Sequence, residues 1–209
     1  MITILIAYDD NFKNIAELNI PIIQSYCKLN NYIFEQRDIV NFDKHPAWFK
    51  PIAICDELEK NKSDYVLWLD IDTLILKQDF SLEKICSSNK YLYLSKDINN
   101  INSGVMLIKN CQEMKKFFNA VSELYLSFKD HIWWEQAAII HLIEKNYLNI
   151  NNHIEYIPQK IFNAYDRHLV RTFNDGYVCD ESFILHMPSI NQDIRLKTIK
   201  SYLNKYYKF

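Results

Sequence analysis

The strongest constraint on the fold is one apolar segment, DYVLWLDIDTLIL, which spans residues 64–76. Continuous hydrophobicity of this kind is typical of a central strand that is covered on both faces of a sheet. The segment nevertheless carries Asp70 and Asp72 near its middle. An ionised carboxylate in a dry interior is strongly destabilising unless it has a partner. We therefore expect the strand to end near these two carboxylates, where a binding partner meets them.

The spacing of the two aspartates allows more than one interpretation. At positions i and i+2 of a strand end, both side chains point the same way and offer oxygen ligands to a hard divalent cation. A bare D-x-D pattern is also common in turns and caps, although the apolar flanks here favour the cation site. The phosphatase motif D-x-D-x-T of haloacid dehalogenases is disfavoured, because Thr73 follows Asp72 directly and Leu74 occupies the position of the motif threonine.

Strands and helices alternate from the N-terminus onwards, which predicts an α/β sheet with right-handed crossovers. The predicted strands lie at residues 2–8, 32–36, 64–69, 90–95, 104–109, 153–158 and 182–187. The predicted helices lie at residues 11–29, 46–61, 112–128, 133–146 and 192–208, with an interruption of the first at Pro21. No repeat or linker divides the 209 residues, so we expect a single domain.

Polar stretches follow three of the predicted strands, and ligands of open α/β sheets bind beyond the carboxyl ends of strands. These stretches are YDD after the first strand, DID after the third and HMPS after the last. A lone histidine such as His186 is commonly structural. The alternative is a nitrogen ligand that completes a site with Asp70 and Asp72. Such a mixed set suits Mn²⁺ better than Ca²⁺, with Mg²⁺ as a second candidate.

Two further segments carry groups that suit a sugar. In NSGVMLIKN, Gly104 stands at the predicted start of a strand, which indicates either a bulge or a close backbone approach to a ligand. Asn102 and Ser103 beside it offer hydrogen bonds to hydroxyl groups. In WWEQ, Glu135 and Gln136 begin a helix, where the helix dipole alone favours an acidic residue. Aromatic faces beside an amide also suit a sugar ring and its hydroxyls.

The composition excludes several classes of protein. With only two glycines in the chain, neither a P-loop nor a dinucleotide fingerprint is present. A net charge of −2 gives no indication of nucleic acid as a partner. Five cysteines without a CxxC pair predict neither a zinc ribbon nor a disulfide framework, and a reducing, cytoplasmic environment is expected. We find no signal-peptide pattern and no apolar run of the ~18 residues that a transmembrane segment needs.

The C-terminal segment RLKTIKSYLNKYYKF interleaves basic and aromatic residues from Arg195 to Phe209. This pattern is typical of an amphipathic helix that docks on its own domain and exposes a basic face. Peripheral contact between this helix and an anionic membrane surface stays open as the alternative.

Taken together, these segments resemble nucleotide-sugar glycosyltransferases of the GT-A type. Most specifically, they resemble the family of fungal galactosyl- and mannosyltransferases and plant xyloglucan xylosyltransferases (glycosyltransferase family 34). HPAWFKPIAICDEL followed by DYVLWLDIDTLIL is similar to a helix and D-x-D strand of that family. NSGVMLIKN, WWEQAAII and FILHM are similar to its asparagine–glycine segment, its acidic helix start and its final histidine strand. Order and spacing agree across residues 45–186.

The resemblance implies a single-domain GT-A fold, with a mostly parallel central sheet flanked by helices. It implies a nucleotide-binding part in residues 1–110 and an acceptor-side part in residues 111–209. The implied activity is metal-dependent transfer of a hexose or pentose from a nucleotide diphosphate sugar, preferably a UDP-sugar, to a glycan or other hydroxyl acceptor with retention. A non-catalytic sugar-nucleotide or glycan-binding module is the alternative, and a metal-dependent phosphatase is a weaker one.

The same resemblance implies roles for individual residues. Asp70, Asp72 and His186 would bind Mn²⁺ or Mg²⁺, and Glu135 and Gln136 would be catalytic, bordering the anomeric carbon and the acceptor. The residues implied to bind the donor are Ala7, Tyr8, Asp9, Lys50, Asp70, Ile71, Asn102, Ser103 and Gly104. Among them, Tyr8 would stack on the base, Asp9 or Asp10 would meet the base or ribose, and Lys50 would lie near the nucleotide.

One part of the family pattern is missing. The chain ends the pattern with HMPSIN, without the family's glycine and the lysine that follows it. The resemblance therefore leaves Arg195 and Lys197 as the candidate cations to replace that lysine at the diphosphate.

Overall fold

A computed structural model of the chain describes residues 1–207 as an α/β fold. The strands are β1 (Ile2–Tyr8), β2 (Ile33–Asp38), β3 (Tyr65–Asp70), β4 (Thr73–Ile75), β5 (Leu92–Asp97), β6 (Asn100–Lys109), β7 (Ile154–Tyr156), β8 (Ala164–Tyr165) and β9 (Ile184–His186). The helices are α1 (Lys13–Asn30), α2 (Phe49–Glu59), α3 (Gln112–Glu123), α4 (Tyr125–Phe128), α5 (Trp134–Glu144), α6 (Gln159–Phe162) and α7 (Gln192–Tyr207). Short 3₁₀ segments connect several of these elements.

The central sheet has six strands in the order β2-β1-β3-β6-β5-β7. The pairs β1–β2, β1–β3 and β5–β7 are parallel, whereas β6 is antiparallel to both of its neighbours. Five strands therefore share one direction, which agrees with the mostly parallel sheet expected from the sequence. The parallel register places Ala7 opposite Asp70, so the carboxyl ends of β1 and β3 meet at one edge.

The apolar segment from residue 64 to residue 76 forms two strands and not one. β3 ends at Asp70, the chain turns at Ile71 and Asp72, and β4 follows. The Thr73 hydroxyl donates to the Asp70 carbonyl at 2.7 Å and closes the turn. Asn19 of α1 donates to the backbone carbonyls of Ile71 and Thr73 at 2.8 and 2.6 Å. Hydrogen bonds from Asn19 of α1 and from Thr73 therefore fix the turn that carries the two aspartates.

A second, smaller sheet has the strand order β4-β9-β8. Its strands are only two or three residues long, and the sequence pattern predicts neither β4 nor β8 as a separate strand. The last predicted strand therefore does not extend the central sheet. It pairs with β4 instead, with Thr73 opposite His186. This pairing places the histidine beside the carboxyl end of β3.

Several predicted boundaries were wrong in detail. Gly104 lies inside β6 and not at its start, because β6 extends back to Asn100. The predicted helix over residues 112–128 is divided into α3 and α4. Helix α1 continues through Pro21 without interruption. Pro21 and Glu17, whose carbonyl loses its donor, are both exposed, so the lost hydrogen bond lies on the solvent side of α1.

Apolar side chains cover both faces of the central sheet. Along β1, Ile4 and Ile6 pack into one buried cluster with α1, and Leu5 and Ala7 pack into another with α2. This alternation is the period of two that a strand imposes on its side chains. With both faces covered, only the strand ends are left for ligands.

Helix α7 packs against the body of the domain through its aromatic residues. The Tyr202 hydroxyl donates to Asp166 at 2.8 Å, and the Tyr207 hydroxyl donates to the Ile75 carbonyl at 2.5 Å. Arg195, predicted as part of a basic face, is buried. Lys208 and Phe209 lie outside the described residues, and contact of this helix with a membrane stays a prediction. No helix within residues 1–207 is both long enough and apolar enough to cross a membrane.

Candidate active site

A cavity of about 580 Å³ opens at the carboxyl ends of β1 and β3. Its volume lies within the range that is common for sites that bind small molecules. The residues predicted from the sequence all line it: Ala7, Tyr8, Asp9, Lys50, Asp70, Ile71, Asp72, Asn102, Ser103, Gly104, Glu135, Gln136 and His186. Asp10, the alternative to Asp9, is exposed in a 3₁₀ turn.

Asp70, Asp72 and His186 converge at the edge of this cavity. One ligand atom from each lies within 4.8 Å of the other two. The turn between β3 and β4 brings the two carboxylates together, and the β4–β9 pairing adds the imidazole. Two carboxylate oxygens and one imidazole nitrogen form a donor set that suits Mn²⁺ and also Mg²⁺. These residues therefore fit a divalent cation.

Asp72 is buried and carries two further contacts. Its Oδ1 lies 3.3 Å from His186 Nε2, and its Oδ2 lies 3.2 Å from Arg195 Nη2. Burial by itself raises the pKa of Asp72, but His186 and Arg195 outweigh that effect and hold the pKa below its ordinary value. The carboxylate is consequently ionised, as a cation ligand must be.

The His186 ring is fixed from two sides. Its Nδ1 lies 2.8 Å from the Asn163 side-chain oxygen, and Asn163 is fully buried. When Nδ1 donates to this oxygen, Nε2 faces Asp72: it donates to that carboxylate while it is protonated, and it offers its lone pair to a cation when it is not. A hydrogen bond of this kind is how proteins commonly orient a histidine ligand. Asn163 did not stand out in the sequence, because an asparagine before a two-residue strand carries no pattern.

Gly104 packs against the same ring, which adds a reason for this glycine that the sequence did not indicate. A Cβ atom added at Gly104 would lie 2.3 Å from Cε1 of His186 and 2.9 Å from both ring nitrogens. The close approach that requires a glycine is therefore made by His186. Of the two alternatives expected from the sequence, the bulge agrees with the break in the β5–β6 register, where Leu94 pairs with Met106 and Ser95 with Asn102. Approach to a ligand stays a prediction, and the contact between β6 and β9 was not predicted.

Lys50 connects the cation ligands to the start of α5. Its ammonium group lies 3.0 Å from Asp70 Oδ1, 2.7 Å from Glu135 Oε1 and 3.1 Å from the Ser103 hydroxyl. Burial by itself lowers the pKa of Lys50. The carboxylates of Asp70 and Glu135 raise the pKa by more than burial lowers it, so the lysine is charged. Trp68 Nε1 donates to Asp70 Oδ1 at 2.7 Å and restricts that carboxylate as well.

Glu135 and Gln136 face Ser103 from the first turn of α5. The Gln136 side-chain oxygen accepts from the Ser103 backbone N–H at 3.0 Å, and Glu135 Oε1 accepts from the Ser103 hydroxyl at 3.1 Å. Burial raises the pKa of Glu135 and Lys50 opposes this effect. The net effect is a raised pKa. Both residues stand in a low-dielectric wall of the cavity, where polar groups act strongly on a bound molecule.

Asp97, Asn102 and Tyr165 form a further hydrogen-bonded group in the cavity wall. The Tyr165 hydroxyl donates to Asp97 Oδ2 at 2.5 Å, and Asn102 Nδ2 donates to the same oxygen at 3.1 Å. Only Asn102 was predicted. Asp97 lies two residues beyond the predicted strand 90–95, at the end of β5, and Tyr165 belongs to the two-residue β8, so no sequence signal pointed to either of them.

An aromatic stack stands at the mouth of the cavity. The rings of His45 and Trp134 lie 3.7 Å apart between centroids at an angle of 11°. Trp134 has a φ of 41°, in the left-handed region, which costs an aromatic residue roughly 1–2 kcal/mol. The stack joins the loop before α2 to the start of α5, so it links the predicted donor and acceptor sides of the cavity.

The two candidate replacements for the missing lysine differ in position. Arg195 reaches Asp72, and its Nε donates to the Met187 carbonyl at 3.1 Å. Lys197 is exposed on α7. Of these two, Arg195 is therefore the one that contacts a candidate metal ligand.

A family model described as the galactosyl transferase GMA12/MNN10 family matches residues 83–188, just over half of the chain. The chain belongs to this family. The matched segment includes Asn102, Glu135 and His186, whereas Asp70 and Asp72 precede it. In the structure, those two carboxylates line the same cavity as Asn102, Glu135 and His186.

Two curated relatives from Schizosaccharomyces pombe are similar to this chain. The probable alpha-1,2-galactosyltransferase gmh1 is 24% identical, with 75% of this chain and 56% of that protein covered. The uncharacterized alpha-1,2-galactosyltransferase C1289.13c is 25% identical, with 68% of this chain and 48% of that protein covered. The chain thus spans about half the length of the curated relatives that it matches.

Solved glycosyltransferases share the fold. One is a glycosyltransferase involved in the glycosylation of the major capsid of PBCV-1, with a TM-score of 0.76, 16% identity and coverage of 96% of this chain and 98% of that one. Another is the galactosyltransferase LgtC in complex with donor and acceptor sugar analogs, with a TM-score of 0.60, 16% identity and coverage of 99% and 96%. The fold is therefore of the GT-A type that the sequence resemblance implied.

Proposed function

We propose that this protein is a metal-dependent glycosyltransferase that moves a hexose or pentose from a nucleotide diphosphate sugar to a hydroxyl acceptor. The observation that carries the proposal is the convergence of Asp70, Asp72 and His186 at one edge of a cavity of suitable size. A non-catalytic sugar-nucleotide or glycan-binding module, the alternative, has little need of a full set of cation ligands at a strand end. Membership of a glycosyltransferase family supports the same activity.

We assign the three ligands to a divalent cation that carries the donor diphosphate. A bound cation supplies positive charge for the leaving diphosphate, which gains negative charge as the glycosidic bond breaks. With only two glycines, the chain has no glycine-rich loop to bind phosphates through its backbone. Mn²⁺ is the preferred ion and Mg²⁺ the alternative, because the set contains one nitrogen.

We assign the donor nucleotide to the side of the cavity formed by Ala7, Tyr8 and Asp9, beyond the carboxyl end of β1. The sugar then lies toward Asn102, Ser103 and the start of α5. Lys50 orients this wall, because its single ammonium group holds both Asp70 and Glu135 in place. Substrate positioning of this kind lowers the barrier by fixing the reacting groups before the reaction.

Glu135 and Gln136 are proposed to stabilise the sugar as it gains positive, oxocarbenium-like charge. Their oxygens face the Ser103 side of the cavity, and the Lys50 ammonium group lies 2.7 Å from Glu135 Oε1, where it favours the charged form of this buried carboxyl. In the retaining reaction, the acceptor hydroxyl attacks from the face that the diphosphate leaves, and the leaving phosphate takes the hydroxyl proton. The glycan acceptor would enter across the stack of His45 and Trp134.

UDP-galactose is the first donor to test, because both S. pombe relatives are described as alpha-1,2-galactosyltransferases. The proposal predicts UDP release that requires a divalent cation. Asp72→Asn removes a charged ligand and should reduce release at least 100-fold, since ligand loss weakens metal binding and charge stabilisation together. Asp56→Asn, on the exposed side of α2, is the matched control and should keep full activity.

Equal rates in the wild type and Asp72→Asn would overturn the proposal. Release of phosphate from a generic aryl phosphate would instead indicate a phosphatase. With UDP-α-galactose as donor, NMR of the product should find an α-linked sugar, whereas a β-linked product would exclude retention.

A further inference from the structure

Arg195 is a buried cation that the reaction scheme above does not use. Its side chain is 5% exposed, its guanidinium lies over the Phe12 ring at 5.3 Å, and it forms an ion pair with Asp72. Burying a guanidinium is costly unless its charge is paired, so a position of this kind requires a specific partner. Asp72 supplies that partner.

The ion pair divides the two oxygens of Asp72 between two tasks. Oδ2 faces Arg195 Nη2 at 3.2 Å, and Oδ1 faces His186 Nε2 at 3.3 Å. The guanidinium is anchored in turn by its bond from Nε to the Met187 carbonyl, one residue beyond β9. Only Oδ1 therefore turns toward the histidine ligand, and the carboxylate is fixed in that orientation.

Both carboxylates of the triad share this arrangement. Asp70 is paired with the buried Lys50 at 3.0 Å, and Asp72 is paired with the buried Arg195. Each carboxylate thus meets an incoming cation with its charge already balanced by a neighbouring positive side chain. Ligands of this kind neutralise only part of the charge of a bound cation, so the cation still attracts a further anion. Without that anion the cation is bound weakly.

The cavity itself separates Arg195 from a ligand. The residues of the chain through Tyr207 that line the cavity include Asp72 and His186 but not Arg195. Direct contact between the guanidinium and a diphosphate in this conformation is therefore not supported. Its contact with the candidate cation ligands is the ion pair with Asp72.

We propose that Arg195 is a positioning residue that makes cation binding depend on the nucleotide diphosphate. By pairing with Oδ2 of Asp72, Arg195 fixes the orientation of this carboxylate and weakens its attraction for a free cation. The cation and the diphosphate are then bound together, each supplying charge that the other needs. This inference rests on the proposed function and adds to it a stated role for a residue outside the cavity.

The test is calorimetric titration of MnCl₂ into the protein alone, with UDP and with uridine. For the wild type we expect UDP to tighten Mn²⁺ binding about tenfold or more and uridine to leave it unchanged, because uridine lacks the anion. Arg195→Gln should bind Mn²⁺ alone several-fold more tightly than the wild type, and its gain from UDP should fall below about threefold. Arg195→Lys keeps the charge and should retain most of the gain.

Lys197→Gln is the matched control, since it removes an exposed cation two residues away on the same helix. It should leave each affinity unchanged. Circular dichroism and the melting temperature establish that each variant is folded.

Three results would overturn the inference. One is an equal gain from UDP in the wild type and Arg195→Gln. Another is loss of Mn²⁺ binding by a folded Arg195→Gln both with and without UDP. That result would indicate that Arg195 only holds Asp72 in place and does not make cation binding depend on the diphosphate. The third uses only the wild type: an equal gain from uridine and UDP would exclude a role for the diphosphate even if Arg195→Gln did not fold. If the wild type binds Mn²⁺ in none of these conditions, the proposed function fails first.

Discussion

The contact between Gly104 and His186 gives a prediction that is independent of any substrate. Gly104→Ala would place a Cβ atom 2.3 Å from the imidazole Cε1, a distance at which one of the two groups must move. The ring has little room to do so, because it is 3% exposed and bonded to Asn163. Overpacking of this kind costs about 1–3 kcal/mol.

A smaller effect opposes this cost. The backbone at Gly104 does not have a positive φ, so alanine fits its conformation and stabilises the folded state by about 0.4–1 kcal/mol through the unfolded chain. The difference between the two effects spans about 0–2.6 kcal/mol, and we expect a net loss near the middle of that span, about 1–2 kcal/mol in the free energy of unfolding. For a chain of this length, the loss corresponds to a fall in melting temperature of about 2–8 °C.

A double-mutant cycle with His186→Ala isolates the contact. In the His186→Ala background the added methyl group meets an empty space, and Gly104→Ala should become neutral or stabilising. Urea denaturation of the four proteins, followed by circular dichroism, gives the coupling free energy, which we expect to be about 1–3 kcal/mol. If Gly104→Ala destabilises both backgrounds equally, His186 is not the reason for the glycine and the reasoning is refuted.

Three other substitutions test separate parts of the site. Lys50→Met leaves the buried Glu135 without its counter-ion and should lower the free energy of unfolding by about 3–5 kcal/mol. Adding Glu135→Gln should recover part of this loss. An unchanged melting temperature in Lys50→Met would contradict the ion pair. Asn163→Ala removes the acceptor of His186 and should weaken Mn²⁺ binding in the presence of UDP about 10–100-fold, whereas equal affinity would show that the ring needs no such support. Trp134→Ala should raise the acceptor KM about 2–10-fold with little change in the donor KM, and an equal rise in both would argue against an acceptor-side role.

The convergence of the polar strand ends could be predicted from the sequence for a simple physical reason. Parallel strands present their carboxyl ends at one edge of a sheet, so the stretches after β1 and β3 had to meet once both strands were recognised. Strong apolar patterning marked those strands. The cavity therefore contains Tyr8, Asp9, Asp70 and Asp72 as expected, although their roles in binding stay proposals.

The rest of the site depends on the small sheet, which has no sequence signature. Strands of two or three residues show no period, and they exist here because β4 and β9 pair across a separation of more than one hundred residues. Asn163 and Arg195 meet the ligands only because of that pairing. Asp97 and Tyr165 were missed for the same reason, since their contact joins β5 to the small sheet.

Gly104 illustrates the limit most clearly. The rarity of glycine in the chain indicated that something approaches the backbone at this position. Which group makes that approach is decided by the contact between β6 and β9, and this tertiary contact is not encoded in the local pattern. The sequence could identify the close approach but not its partner.

The central claim, that Asp70, Asp72 and His186 hold a divalent cation together with a nucleotide diphosphate, can be tested directly at the metal. Pulsed electron paramagnetic resonance of Mn²⁺ with the protein and UDP reports nitrogen atoms that are bound to the ion. The account predicts a nitrogen signal in the wild type that is lost in His186→Ala and retained in the exposed-site variant Asp56→Asn. A wild-type spectrum without nitrogen coupling, or the same coupling in His186→Ala, would contradict it.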